Sequence, residues 1–190
     1  MKILIDSADV EKIKEISKYR EITGITTNPT ILSKVEGDIK NILKELLGTS
    51  SDYVFIEPSF RCDYGFNIHI HGFAFINYNC VILDTSPVNI GNGVFIAPGV
   101  CIVCSGHAIH PEQRGKGVGT SAPITLEDNV WIGANSTVCG GVTIGEGSII
   151  GAGSVVNKDI PVGVIAAGTP CKVIREITEE DKIKPEDILF

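Results

Sequence analysis

A chain of 190 residues has the length of one domain, or of one domain with a small appendage. Its formal net charge of −7 lacks the basic face that broad nucleic-acid binding needs, yet leaves room for a polyanionic small ligand held by a few local cations. No run of 18 apolar residues is free of polar or glycine interruption, and Lys2, Asp6 and Asp9 break any signal-peptide core, so neither membrane span nor leader is expected. The six cysteines then read as reduced thiols in a cytoplasmic protein.

Residues 2–5 read as a short strand, and Ser7 as the N-cap of a helix with Val10, Ile13 and Ile16 on one face. "EITGITT" reads as a second strand. Asn28-Pro29 opens another helix, with proline in the first turn where its missing N–H does no harm. Residues 38–47 carry Ile39, Ile42, Leu43, Leu46 and Leu47 on one side, with Gly48 as the stop. This is the strand-helix grammar of an α/β barrel. "MKILIDSADV" and "GITTNPTILSK" resemble the start of the transaldolase and fructose-6-phosphate aldolase family, where Asp6, Thr26 and Asn28 match active-site positions. Eight such units need ~200 residues or more. The resemblance stops after two, and the strand bearing that family's Schiff-base lysine has no counterpart. Residues 1–47 are therefore expected to be a non-catalytic α/β segment covering the end of a second domain, 48–190.

Beyond residue 47 the pattern changes. Ile70, Ile76 and Ile82 stand six apart; Ile90, Ile96 and Ile102 do so again after an interval of eight, which places two extra residues at a corner near 85–87. Leu126, Ile132, Val138, Ile144, Ile150 and Val156 then keep the interval of six without a slip. Three residues after each stands Asn129, Asn135, Gly141, Gly147, Gly153 or Asp159, residue types that accept a left-handed backbone or cap a turn. The 21 glycines fall largely in these turns. A period of six fits neither a helix nor a flat strand; it fits short strands and tight turns wound into a parallel β-helix of hexapeptide repeats. Between Ile102 and Leu126 the inward pattern fails, and "SGHAIHPEQRGKGVGTSAP" reads as a loop thrown out of the coil. After Pro161 a last coil and a short helix from about Glu179 would cap the end.

"FRCDYGFNIHI", "NYNCVILD", "IGNGVFIAPGV", "SGHAIHPEQR", "VWIGANSTV", "GAGSVVNKDIP" and "AAGTPCKVIREI" together resemble the maltose and galactoside O-acetyltransferases, members of the hexapeptide-repeat acyltransferases, over roughly residues 41–182. The resemblance implies a mainly β, left-handed parallel β-helix with an extruded loop. It also implies acetyl-CoA as co-substrate, a sugar acceptor, and a homotrimer with its sites between subunits. His107 of the loop matches the family's catalytic histidine, and acetyl transfer to a hydroxyl needs a base that titrates near neutrality. His110 is the second candidate in that loop. His69 and His71 flank the inward Ile70 and point outward as surface residues. Asp63, Asn77 and Asp84 match acceptor-side positions, and turn chemistry is the alternative for the last two. Trp131 matches a residue of the active-site wall. The backbone N–H of Ala134 matches the oxyanion donor. Ala152 and Asn157 match contacts to coenzyme A, with Lys158, Lys172 and Arg175 placed for its phosphates.

Cys101-x-x-Cys104 lacks the further ligands of a zinc site, so no metal is expected. The implied chemistry is direct transfer in a ternary complex with His107 as general base and no acetyl-enzyme. Two other readings remain: an acetyltransferase for a different small hydroxyl or amino acceptor, such as an antibiotic or serine, and a non-catalytic β-helix scaffold. The sugar enzymes bring a carboxylate and an aromatic to the acceptor pocket from an N-terminal helical segment, which residues 1–40 here replace with unrelated sequence.

Overall fold

The computed structural model describes residues 3–6, 22–26, 46–57 and 59–184. Six coils stack into a three-faced prism. The first face stacks Arg61–Cys62, Val81–Leu83, Cys101–Val103, Thr137–Cys139 and Val155–Val156. The second stacks Ile68–Ile70, Val88–Ile90, Ile124–Leu126 and Thr143–Ile144. The third runs from Val54–Ile56 through Ala74–Ile76, Val94–Ile96, Trp131–Ile132 and Ile149–Ile150 to Val164–Ala167. All these pairings are parallel, so like residues sit above one another at the ~4.8 Å spacing of a sheet.

The period of six arises because each strand places one aliphatic at the same inward position, and several strands bury a second residue two positions earlier, as Ile68 precedes Ile70. Cys62, Ile82, Ile102, Val138 and Val156 form one buried column. Ile70, Ile90, Leu126 and Ile144 form a second, and Ile76, Ile96, Ile132, Ile150 and Ala166 a third. Branched aliphatics suit both the strand backbone and the narrow interior, and each contributes about 1.5–3 kcal/mol by leaving water. The corners behave as the spacing predicts. Asn129, Asn135, Gly141, Gly147 and Gly153 all have positive φ. Asp159 serves instead as a cap, its Oδ1 accepting the Thr143 N–H at 2.8 Å.

The structure adds detail to two sequence expectations. The segment expected to leave the coil does so as an antiparallel hairpin of Ser105–His107 and Gly119–Ser121, with a one-turn helix, Pro111–Gly115, at its tip. The last coil also does not close, because Lys172–Glu176 folds back antiparallel on Val164–Ala167 before the 3-10 turn Glu179–Asp181. At the other end Ile22–Thr26 pairs antiparallel with Arg61–Cys62, and Ile3–Asp6 pairs parallel with Ile22–Thr26. The N-terminal segment thus meets the prism as added strands on its first face, occupying an edge that would otherwise stay open. The helices expected from Ser7 and from Asn28-Pro29, and all but the last two residues of the one expected at 38–47, lie outside the described residues. Leu46 and Leu47 are buried, Leu47 within the core of the prism.

Candidate active site

The coils are not of equal length. Phe55, Phe75 and Phe95 stand in register twenty residues apart, whereas Trp131 and Ile149 stand eighteen apart. In the first three coils the extra residues all fall at the corner between the first and second faces, at 63–67, at 84–87 and, as the hairpin, at 104–123. That corner carries Asp63, Asp84 and His107.

Asp84 organises it. Its side chain is fully buried, and its Oδ1 accepts the N–H groups of Asp63 at 3.0 Å and Tyr64 at 2.9 Å. Its Oδ2 accepts those of Gly65 at 2.7 Å and Asn67 at 3.3 Å, while Asn67 Nδ2 donates to the Asp84 carbonyl at 2.8 Å. Gly65 has φ +84°, and a Cβ there would come within 2.8 Å of the Leu46 carbonyl oxygen, so the loop needs glycine at that point. Asp84, matched to an acceptor-side position with turn chemistry as the alternative, thus has both side-chain oxygens accepting backbone N–H groups of the neighbouring coil. Asp63 lies half-buried above this nest, its carboxyl held above the ordinary value by desolvation and then by the Asp84 charge. Tyr64 and Phe66 of the same loop pack against each other, their rings tilted by 36° with centroids 5.3 Å apart.

The hairpin rises from the same corner. Ser105 pairs with Ser121 and His107 with Gly119. The Ser121 hydroxyl lies 2.7 Å from that of Thr85 and donates to Ser86 Oγ at 2.7 Å, so the hairpin root is bound to the coil beneath. His107 is exposed. At the tip, Arg114 Nη1 donates to the carbonyls of Ala108 at 3.0 Å and Ile109 at 2.8 Å. His110 precedes the one-turn helix, its carbonyl accepting the Arg114 N–H at 3.0 Å. Asn157 and Lys158 follow two coils further along this corner, both exposed.

Asn77, Ala134 and Ala152 do not join that group. They occupy the corner between the third and first faces, at the other end of the first-face strands. Asn77 Oδ1 accepts the Tyr78 N–H at 2.8 Å, which is turn chemistry. The Ala134 carbonyl accepts the Gly153 N–H at 2.8 Å, while its own N–H meets no acceptor among the described residues. Gly133 must be glycine, since a Cβ would lie 2.6 Å from the Ala152 nitrogen. Trp131 is 50% exposed on the outer side of the third face. Lys172 is exposed on the fold-back strand. Arg175, expected with Lys158 and Lys172 to be placed for the phosphates, lies on the same strand, and its guanidinium grips Asp181 at 2.6 and 2.7 Å. The capping of the 3-10 turn, with the Thr178 N–H donating to Asp181 at 2.8 Å, brings that carboxylate within reach. Arg175 in turn holds the Asp181 carboxyl well below the carboxylate range.

All six cysteines are free thiols. Among the described residues no three His, Cys, Asp or Glu side chains converge as a metal site requires, and no helix is long and apolar enough to cross a membrane. The hydroxyls of Thr85, Ser86 and Ser121 and the Tyr64–Phe66 pair escaped the sequence reading. The interval of eight before Ile90 was the signal for Thr85 and Ser86, and the broken period after Ile102 the signal for Ser121.

The chain matches the family described as Bacterial transferase hexapeptide (six repeats) over residues 123–158, and Transaldolase/Fructose-6-phosphate aldolase over 3–57. It is 47% identical over 143 residues to a galactoside O-acetyltransferase of Escherichia coli strain K12, covering 75% of this chain and 70% of that one. A crystal structure of a maltose O-acetyltransferase from Clostridium difficile 630 is similar with TM-score 0.73 and 36% identity, covering 90% of this chain and 85% of the other. A galactoside acetyltransferase in complex with coenzyme A gives TM-score 0.74 and 39% identity, with 90% and 80% covered.

Proposed function

The chain belongs to the hexapeptide-repeat acetyltransferases, and from that premise we propose that it moves an acetyl group from acetyl-CoA to a hydroxyl of a sugar of the maltose, glucose or galactoside type. The observation that carries the reading is the corner where three coils are lengthened. There an exposed imidazole, His107, stands on a hairpin hydrogen-bonded to the coil that shapes the Asp63 loop.

The residues present fit the co-substrate. Glycine and alanine at 133–134 and 151–153 leave a low wall beside an N–H of Ala134 that has no partner among the described residues. The Lys158 and Lys172 ammonium groups are exposed in a chain of net charge −7, which favours an anionic partner at that end. Asn157 and Ala152 lie along the same stretch and would hold its organic part. Acetyl-CoA supplies the acyl group as a thioester. His107 accepts the proton of the acceptor hydroxyl as that oxygen bonds to the acyl carbon, and returns it to the sulfur as the C–S bond breaks. The Ala134 N–H is the donor for charge developing on the acyl oxygen. Asp63 and Asn77 contact the acceptor, and Trp131 walls the site. No acetyl-enzyme is required.

Asn77, Ala134 and Ala152 sit on a different corner from His107 and Asp63, which supports a homotrimer whose sites form between neighbouring subunits. The test is His107→Ala, with turnover measured against maltose, glucose, galactosides, chloramphenicol and serine. A loss of roughly 10²–10⁴ in kcat with the melting temperature retained is expected. An unchanged rate would sink the assignment, and preference for chloramphenicol or serine would move the acceptor class.

A further inference from the structure

A carboxylate is buried at the corner of the second coil with no cation beside it among the described residues. Burial of a charge is costly, and here only four converging backbone N–H groups offset it. A tight turn alone does not need such an arrangement, as the corners closed by Asn129 or Gly147 in the later coils demonstrate. What four N–H groups on one carboxylate do fix is the path of residues 63–67. The two residues that follow Asp84 fix something else: Thr85 and Ser86 hold Ser121, which is paired with Ser105, two residues before His107. One short segment, 84–86, therefore touches both halves of the candidate site.

We propose that Asp84 is a positioning residue of the transfer reaction: it shapes the 63–67 loop from below, and with Thr85 and Ser86 it keeps that loop at one spacing from the root of the His107 hairpin. This rests on the assignment of Asp63 to the acceptor and His107 to the base. Asparagine is the informative replacement because it keeps the size of aspartate but only one acceptor oxygen. Its Nδ2 would face two N–H groups with two more, so the loop would shift to escape the opposition. The Ala134 corner shares none of these bonds and should not feel the change.

The experiment is steady-state kinetics on the full chain carrying Asp84→Asn, with whichever of maltose, glucose or a galactoside is turned over fastest. Acceptor KM is expected to rise roughly tenfold or more, the size of one lost hydrogen bond, while the KM for acetyl-CoA stays within about twofold of the parent. Equal increases in both would mark Asp84 as merely structural and overturn the proposal, as would a folded variant with an unchanged acceptor KM. Should Asp84→Asn fail to fold, Ser121→Ala cuts only the tether. A selective fall in acceptor kcat/KM then supports the proposal, and no change refutes it. Asp63→Asn separates the two assignments: if it leaves acceptor KM untouched, the acceptor reading fails, whereas an effect there with Asp84→Asn silent defeats the positioning role alone.

Discussion

The Asp63 carboxyl sits in an unfavourable place for a charge, partly desolvated by burial and facing the Asp84 charge. Its folded value lies above its unfolded one. Its contribution to stability is therefore fully present below about pH 4, the ordinary range of an aspartate, and is lost as pH rises through the higher folded value. Asp63→Asn should then raise the melting temperature by about a degree or two at pH 7 and change it little near pH 3, while acceptor KM increases. Calorimetry at the two pH values checks the sign; a destabilised variant at pH 7 would contradict it. A residue that costs stability where it stands and improves binding fits a functional position.

Coil and hairpin differ in what holds them. Ile132 is buried between Ile96 and Ile150, and truncation to alanine should cost about 2–5 kcal/mol of global stability. The hairpin contributes few buried side chains, Ala108 being the exception at the turn into the tip, and it is fastened by polar groups at its root and by Arg114 at its tip. Arg114→Ala should leave the melting transition in place but speed amide exchange at Ala108 and Val118, whose backbones pair across the hairpin. Protection lost equally in the coils would show that the two elements open together. This contrast also explains what the sequence disclosed. The coils repeat one chemical demand every six residues, so Ile70 to Val156 announced both architecture and corners. Apart from His107 the hairpin strands are glycine and hydroxyl residues, with no hydrophobic alternation to mark them, and their antiparallel pairing emerges only from the hydrogen bonds.

At the scale of the molecule, what stayed hidden shares one cause. The bonds from Asp84 to 63–67 span up to 21 residues along the chain and exist only because one coil lies on another. The partner of Arg175 likewise depends on how the C-terminal turn caps itself. Motif spacing located His107 without revealing that Asn77 stands on another corner. The single chain also leaves Phe55, Phe95 and Trp131 each about half exposed in one vertical column on the third face, an apolar stripe long enough to want cover. Sedimentation equilibrium should return three times the chain mass, and Phe95→Glu should lower it while the coil fold persists. A parent protein that sediments as a monomer would remove the inter-subunit site.

The unequal length of the coils has a further consequence for how such a protein can diversify. The groups assigned to the acceptor and the base lie mainly in the long coils, up to residue 123, and most of those assigned to coenzyme A lie in the short ones that follow. The junction is an ordinary parallel pairing between aliphatic columns that any coil of the same width can continue. A graft crossing over near Pro123 would therefore exchange acceptor preference between relatives as a block, leaving the donor half untouched.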